Sequence, residues 1–123
     1  MNSAKVAQSV LVVEDDEALR EVIEWTLADE GYAVETAENG AIALERVSGR
    51  SPKLILLDMR MPVMDGWAFA REYHGRPGPH APIVVLTAAR DAGTWARDVQ
   101  ATGYLAKPFA IDQLLDTVQR HSA

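Results

Sequence analysis

The segment LILLDMRMPVMDGW, residues 54–67, largely decides the predicted fold. It opens with aliphatic residues that favour strands and then reaches an acid, Asp58, which is followed by Pro62 and an Asp65-Gly66 step. A continuous aliphatic run is typical of a central strand buried on both faces, and the Pro and Asp-Gly residues mark a loop before the next element. The segment therefore predicts a buried strand that carries a carboxylate at its C-terminal tip.

Similar aliphatic runs recur along the chain, and the stretches between them have helical spacing. The last stretch has the clearest helical stripe, formed by Ile111, Leu114, Leu115 and Val118. Alternating strands and helices predict an α/β fold, built from βαβ units with a parallel sheet covered by helices on both faces. The predicted strands are Ser9–Val13, Ala33–Thr36, Lys53–Leu57, Ile83–Thr87 and Tyr104–Ala106.

The composition is that of a single globular domain. The chain has 123 residues, of which 48% are hydrophobic and 24% are charged, and this length is enough to bury a core without cross-links. We expect a flexible polar lead at residues 1–8 and one domain at residues 9–121. The sequence contains no Cys, which excludes disulfides, thiolate catalysis and Cys-based zinc sites.

Charge and hydropathy limit the expected partners and location. A net charge of -6 argues against direct nucleic-acid binding, because that binding needs a basic surface. The sequence has no apolar run approaching the roughly 20 residues of a membrane span and no signal-peptide core. We therefore expect a cytoplasmic protein, monomeric or weakly dimeric, without a membrane contact.

Charged and hydroxyl side chains stand where four of the predicted strands end. Glu14 and Asp15 follow the first strand, Asp58 follows the third, Thr87 ends the fourth, and Lys107 follows the fifth. Because right-handed crossovers bring the C-terminal ends of parallel strands to one edge of the sheet, we expect these side chains to converge there.

This set of side chains predicts phosphoryl chemistry. Crowded carboxylates raise one another's pKa unless a cation intervenes, and oxygen ligands in this number suit a Mg²⁺ ion that keeps several waters. A Lys ammonium and a Thr hydroxyl suit phosphate oxygens, and an Asp carboxylate is a known phosphoryl acceptor. We therefore interpret the edge as a Mg²⁺-dependent phosphoryl-acceptor site with Asp58 as the nucleophile.

Four motifs give the chain a family resemblance: VLVVEDD at 10–16, LILLDMRMPVMDG at 54–66, IVVLTA at 83–88 and GYLAKPF at 103–109. In this order and spacing the sequence resembles the receiver domain of bacterial two-component response regulators, of the single-domain type. The resemblance implies a flavodoxin-like, doubly wound sheet of five parallel strands in the order 2-1-3-4-5, with five helices. It also implies that a histidine kinase or a histidine phosphotransfer protein phosphorylates Asp58, and that the phosphorylated domain binds a downstream protein target.

The same resemblance implies roles for individual residues. Asp15, Asp58 and the backbone carbonyl of Arg60 would hold Mg²⁺ directly, and Glu14 would act through a water. Thr87 and Lys107 would contact the phosphoryl group, with a cis peptide bond after Lys107. Thr87 and Tyr104 would form the conformational switch. Such a domain is a signalling module rather than a classical enzyme, and its phosphorylation and dephosphorylation are self-catalysed.

Other interpretations remain open from the sequence. The strand-end acids can serve as helix caps, with Asp16 and Asp65 as the expected caps of the first and third helices. Thr87 can be an ordinary β-branched strand residue, and Tyr104 a core aromatic. An alternative function is an aspartate-nucleophile phosphatase of the haloacid dehalogenase type. That class needs a second acid two residues after the nucleophile, where this chain has Arg60.

Two features depart from the family pattern. The stretch between Thr87 and Lys107 is about two residues shorter than receivers usually carry, and Gly93 and Thr94 break its helical period, so we expect a short, shifted or mobile fourth helix. Ala110 stands where an Asp or Ser would normally cap the last helix, so we expect that end to fray.

Overall fold

The computed structural model of the protein describes residues 8–122, so most of the predicted N-terminal lead lies outside the described residues. Within that range, strands and helices alternate along the chain. The strands are β1 (Ser9–Val13), β2 (Ala33–Ala37), β3 (Leu54–Asp58), β4 (Ile83–Ala88) and β5 (Gly103–Lys107). The helices are α1 (Glu17–Asp29), α2 (Gly40–Gly49), α3 (Gly66–Gly75), α4 (Ala89–Asp98) and α5 (Ile111–His121).

The sheet is parallel throughout, with strand order β2-β1-β3-β4-β5. This order and the five helices of the described range confirm the predicted flavodoxin-like α/β class. The predicted strand bounds shift slightly, and the shift matters for the site. β3 includes Asp58 and β5 includes Lys107, so both side chains stand on the sheet itself rather than in the loops that follow.

Strand β3 is the middle strand of the sheet and is buried on both faces, because its side chains alternate between two cores. Leu54 and Leu56 pack in one core with residues of α1 and α5, while Ile55 and Leu57 pack in the other core with residues of α2, α3 and α4. All four side chains have no exposed surface. Helices on both faces therefore fix the strand that carries Asp58.

The two helix caps predicted from the sequence, Asp16 and Asp65, are confirmed. The carboxylate of Asp16 accepts from the backbone N–H of Leu19 at 3.1 Å, and that of Asp65 accepts from Ala68 at 2.8 Å. Ala110 has no side-chain cap to offer the start of α5. The Gln113 side-chain oxygen instead accepts from the Ala110 N–H at 2.7 Å, which satisfies one backbone donor at that end.

Helix α4 is continuous across the residues that break its helical period in the sequence. It runs without interruption from Ala89 to Asp98, through Gly93 and Thr94, and begins directly after β4. A mid-helix Gly costs about 1 kcal/mol relative to Ala, but the buried side chains of Ala92 and Ala96 dock this helix on the core. Tertiary packing therefore sustains the helix across this weak local propensity, while a short, shifted or mobile α4 stays a prediction.

Candidate functional site

Three carboxylates meet at the C-terminal edge of the sheet, between β1 and β3. This is where the strand order reverses, the position at which open α/β sheets form ligand crevices. Glu14, Asp15 and Asp58 each offer one carboxylate oxygen, and these oxygens lie within 4.8 Å of one another. Glu14 and Asp58 are buried and Asp15 is exposed. The structure thus brings together the acids that the sequence pattern singled out.

Lys107 joins the two buried carboxylates. Its Nζ lies 2.8 Å from Glu14 Oε1 and 3.5 Å from Asp58 Oδ1, and the other Glu14 oxygen accepts from the Asp16 N–H at 3.1 Å. Burial lowers the pKa of Lys107, but the hydrogen bond and charge of Glu14, together with Asp58, outweigh burial and hold that pKa above its ordinary value. Lys107 is therefore a fixed cation at the centre of the site.

One ammonium does not balance three carboxylates, and Asp58 bears the consequence. Burial, followed by the charge of Glu14, raises the pKa of Asp58 to about 7, although Lys107 opposes the shift. The site therefore has a deficit of positive charge. Its donors are hard carboxylate oxygens on one side of an open pocket, and such donors fit a partly hydrated Mg²⁺ ion.

Arg20 on α1 secures the turn that carries two of the acids. Its guanidinium donates to the carbonyl of Glu14 at 2.9 Å and reaches the carbonyl of Asp15 at 3.5 Å. Because these contacts are to the backbone, they fix the turn without competing for the carboxylates. Sequence reasoning missed this residue, and the available signal was an Arg about one helical turn after the acidic run.

The proposed switch residues lie on neighbouring strands. Thr87 is buried near the end of β4 and pairs in register with Ala106 of β5. Tyr104 stands two residues before Ala106, so it projects from the same side of β5, and its side chain is 53% exposed. The structure therefore does not support Tyr104 as a core aromatic. The peptide bond between Lys107 and Pro108 is cis, as the resemblance implied.

The three carboxylates, Thr87 and Lys107 line one open pocket at the sheet edge, with a volume of about 390 Å³. Arg60 lines it, as expected from its place two residues after Asp58, and its guanidinium carbon lies 5.0 Å from the ring centroid of Trp95. Trp95 and Asp91, both from α4, were not predicted to be there. The full lining is Glu14, Asp15, Asp16, Asp58, Arg60, Thr87, Ala88, Asp91, Trp95 and Lys107.

Comparison with known protein families identifies the family of this chain. The family model of the response regulator receiver domain matches residues 10–119, nearly the whole chain. The chain belongs to this family. It is therefore a receiver domain of the kind used in two-component signalling, with an acidic pocket where the family has one, and not a classical enzyme.

Two solved structures share the fold of this receiver domain. The chemotaxis response regulator CheY4 of Vibrio cholerae matches with a TM-score of 0.85 and 36% identity, over 94% of this chain and 98% of that chain. The receiver domain of the sensor histidine kinase PA1611 from Pseudomonas aeruginosa PAO1 matches with a TM-score of 0.84 and 34% identity, over 95% and 98%. That second structure has a magnesium ion coordinated in its active site cleft.

Curated relatives of this receiver domain include much longer proteins. The DNA-binding transcriptional regulator NtrC of Escherichia coli strain K12 is 41% identical over 113 residues, which is 90% of this chain and 24% of NtrC. This receiver domain thus spans about a quarter of that relative. In the part of the chain that the structure describes, no helix is both long and apolar enough to cross a membrane.

Proposed function

We propose that Asp58 accepts a phosphoryl group from a phosphohistidine of a histidine kinase or histidine phosphotransfer protein, in a Mg²⁺-dependent reaction. The observation that carries the proposal is the convergence of Asp58, Glu14, Asp15 and Lys107 at the tip of the buried strand β3. In the transfer, a carboxylate oxygen of Asp58 bonds to phosphorus as the bond from phosphorus to the donor imidazole nitrogen breaks. Hydrolysis by water later restores the carboxylate, and both steps are self-catalysed.

The metal ligands we propose are Asp15, Asp58 and the backbone carbonyl of Arg60, with Glu14 acting through a water. The oxygen donors and the charge deficit of the site support this assignment, as does the magnesium ion in the PA1611 receiver domain. When bound, Mg²⁺ neutralises charge on the phosphoryl oxygens and orients them.

Lys107 and Thr87 act on the phosphoryl group itself in this proposal. The 2.8 Å contact with Glu14 keeps the Lys107 ammonium at the site while the charge on Asp58 changes. Thr87 stands one strand away from Asp58 in the same pocket, and its hydroxyl donates to a phosphoryl oxygen. Phosphorylation adds strong acceptor oxygens and negative charge, so both contacts strengthen in the phosphorylated state.

Movement of Thr87 toward the phosphoryl group is the proposed first step of the switch. Its register partner Ala106 has a small side chain, and the exposed ring of Tyr104 lies two residues away on the same side of β5. Space vacated by Thr87 then accepts the Tyr104 ring. This rearrangement changes the surface of α4, β5 and α5, and so alters the affinity for a downstream protein target.

Labelling with a small phosphodonor tests this function. With acetyl phosphate and Mg²⁺, we expect one acid-stable, base-labile phosphoryl group per chain, absent from Asp58→Asn and retained in Asp116→Asn, an exposed acid paired with Arg120. Multiple turnover on phosphate monoesters would instead support the dehalogenase-type phosphatase. Arg60 in place of a second acid already disfavours that alternative.

A further inference from the structure

Arg60 is held over an aromatic ring at the pocket. Its guanidinium carbon lies 5.0 Å from the centroid of Trp95 on α4, within the range in which an aromatic face attracts a cation. Both side chains line the pocket that contains Asp58. Among the residues the structure describes, no carboxylate forms a salt bridge with Arg60, so its guanidinium contacts the ring rather than the acids.

Trp95 is itself fixed by a second contact between helices. The ring of Trp67 on α3 meets that of Trp95 edge-on, with centroids 4.8 Å apart and planes at 68°. Trp67 Nε1 in turn lies 3.5 Å from a carboxylate oxygen of Asp98, at the end of α4. Trp95 is half-buried between these elements, so its face is a fixed platform for Arg60.

The position of Arg60 bears on water access to Asp58. Asp58 is buried whereas Arg60 is exposed, and both line the same pocket, so Arg60 stands on the solvent-exposed part of the pocket lining. Hydrolysis needs a water oxygen to bond to phosphorus as the bond from phosphorus to Asp58 breaks. Inorganic phosphate then leaves, and the proton of the water passes to solvent. A side chain held at the pocket mouth restricts that approach.

We propose that Trp95 is a positioning residue: it holds Arg60 as a lid over phosphorylated Asp58 and so prolongs the life of the phosphoryl group. The inference rests on the proposed phosphorylation of Asp58 and goes beyond it, because it assigns the control of dephosphorylation to a contact between the loop after β3 and α4. Without the ring, Arg60 samples other rotamers and the mouth of the pocket opens to water.

The test follows the loss of label from protein freed of donor, in the full chain with Mg²⁺. We expect Trp95→Leu and Arg60→Gln each to hydrolyse about two- to fivefold faster than wild type, the factor that matches the strength of an exposed cation–π pair. The double variant should be no faster than Arg60→Gln, because Trp95 acts through Arg60, and Trp95→Phe should be intermediate. Trp25→Leu, which removes a Trp that is 66% exposed on α1, is the matched control.

A second readout needs neither phosphorylation nor metal. In metal-free wild type, the Arg60 side-chain protons should show an upfield ring-current shift by NMR, and this shift should vanish in Trp95→Leu and persist in Trp25→Leu. Three results would each overturn the proposed role of Trp95 and Arg60. These are wild-type hydrolysis rates in the two single variants, additive effects in the double variant, and an absent ring-current shift. Failure of wild type to label at Asp58 would overturn the proposed function as well, so the two failures are distinguishable.

Discussion

At the scale of single residues, the chemistry depends on how the fold treats Asp58. Burial and the charge of Glu14 raise the pKa of Asp58 from its ordinary value of 3.8 to about 7. At a pH between 3.8 and about 7, Asp58 is protonated in the folded chain but has released its proton in the unfolded chain. Stability from this group is therefore present at low pH and is lost as the pH rises through about 7.

Chemical unfolding of metal-free protein measures this effect. With EDTA present, wild type should lose unfolding free energy between pH 5.5 and pH 8 relative to Asp58→Asn, because Asn has no charge to bury. Asp58→Asn should be the more stable protein at pH 8. Equal pH dependence in the two proteins would show that Asp58 titrates normally in the fold.

Arg20 provides a second prediction at this scale. Arg20→Gln should weaken Mg²⁺ binding, because the turn that bears Glu14 and Asp15 loses its contact from α1. We expect a loss on the order of tenfold, the lower end of the range for residues that orient metal ligands. Calorimetric Mg²⁺ titration measures the change. Arg46→Gln is a matched control. Arg46 lies on α2, outside the pocket lining, and it also donates to a backbone carbonyl, that of Thr36 at 3.1 Å. A wild-type Mg²⁺ affinity in a folded Arg20→Gln protein would contradict this role.

At the scale of elements, the loop between β3 and α3 is shaped by a strained turn. Val63 has φ of 70°, and the Met64 N–H donates to the Pro62 carbonyl at 2.7 Å, which closes a γ-turn around Val63. A positive φ is costly for a β-branched residue. The Val63 side chain is 83% exposed, so little burial offsets that cost.

Val63→Asn should therefore raise the free energy of unfolding by about 1 kcal/mol, because Asn adopts a positive φ several-fold more readily than a β-branched residue. Val63→Ala is the control: it removes the branch but keeps Cβ, so its gain should be smaller. Urea unfolding of wild type and the two variants measures these differences in the free energy of unfolding. A less stable Val63→Asn would mean that the valine contributes more through its contacts than its backbone conformation costs.

The same scale shows which elements the sequence could predict. Aliphatic runs such as 54–57 are buried on both faces, so their composition alone favours central strands. The continuity of α4 could not be predicted, because Gly93 lowers local propensity while the packing of Ala92, Ala96 and Trp95 that sustains the helix is a tertiary effect. Local sequence carries no information on that packing.

At the scale of the whole molecule, the order of the strands assembles the site. Glu14 and Lys107 are 93 residues apart in sequence and 2.8 Å apart in space. Because parallel strands bring their C-terminal ends to one edge, the convergence of the acids, Thr87 and Lys107 was predictable from strand endings. The Arg20 and Trp95 contacts were not, because they depend on which way two helix side chains turn.

Mapping the modified residue shows directly whether Asp58 is the phosphoryl acceptor. Protein phosphorylated by a histidine kinase in the presence of Mg²⁺ is reduced with borohydride, which converts an aspartyl phosphate to homoserine, and is then digested and sequenced by mass spectrometry. We expect homoserine at position 58, with Glu14 and Asp15 unmodified in their own peptide of the same digest. Homoserine at position 15 with position 58 unmodified, or label retained in Asp58→Asn, would contradict it.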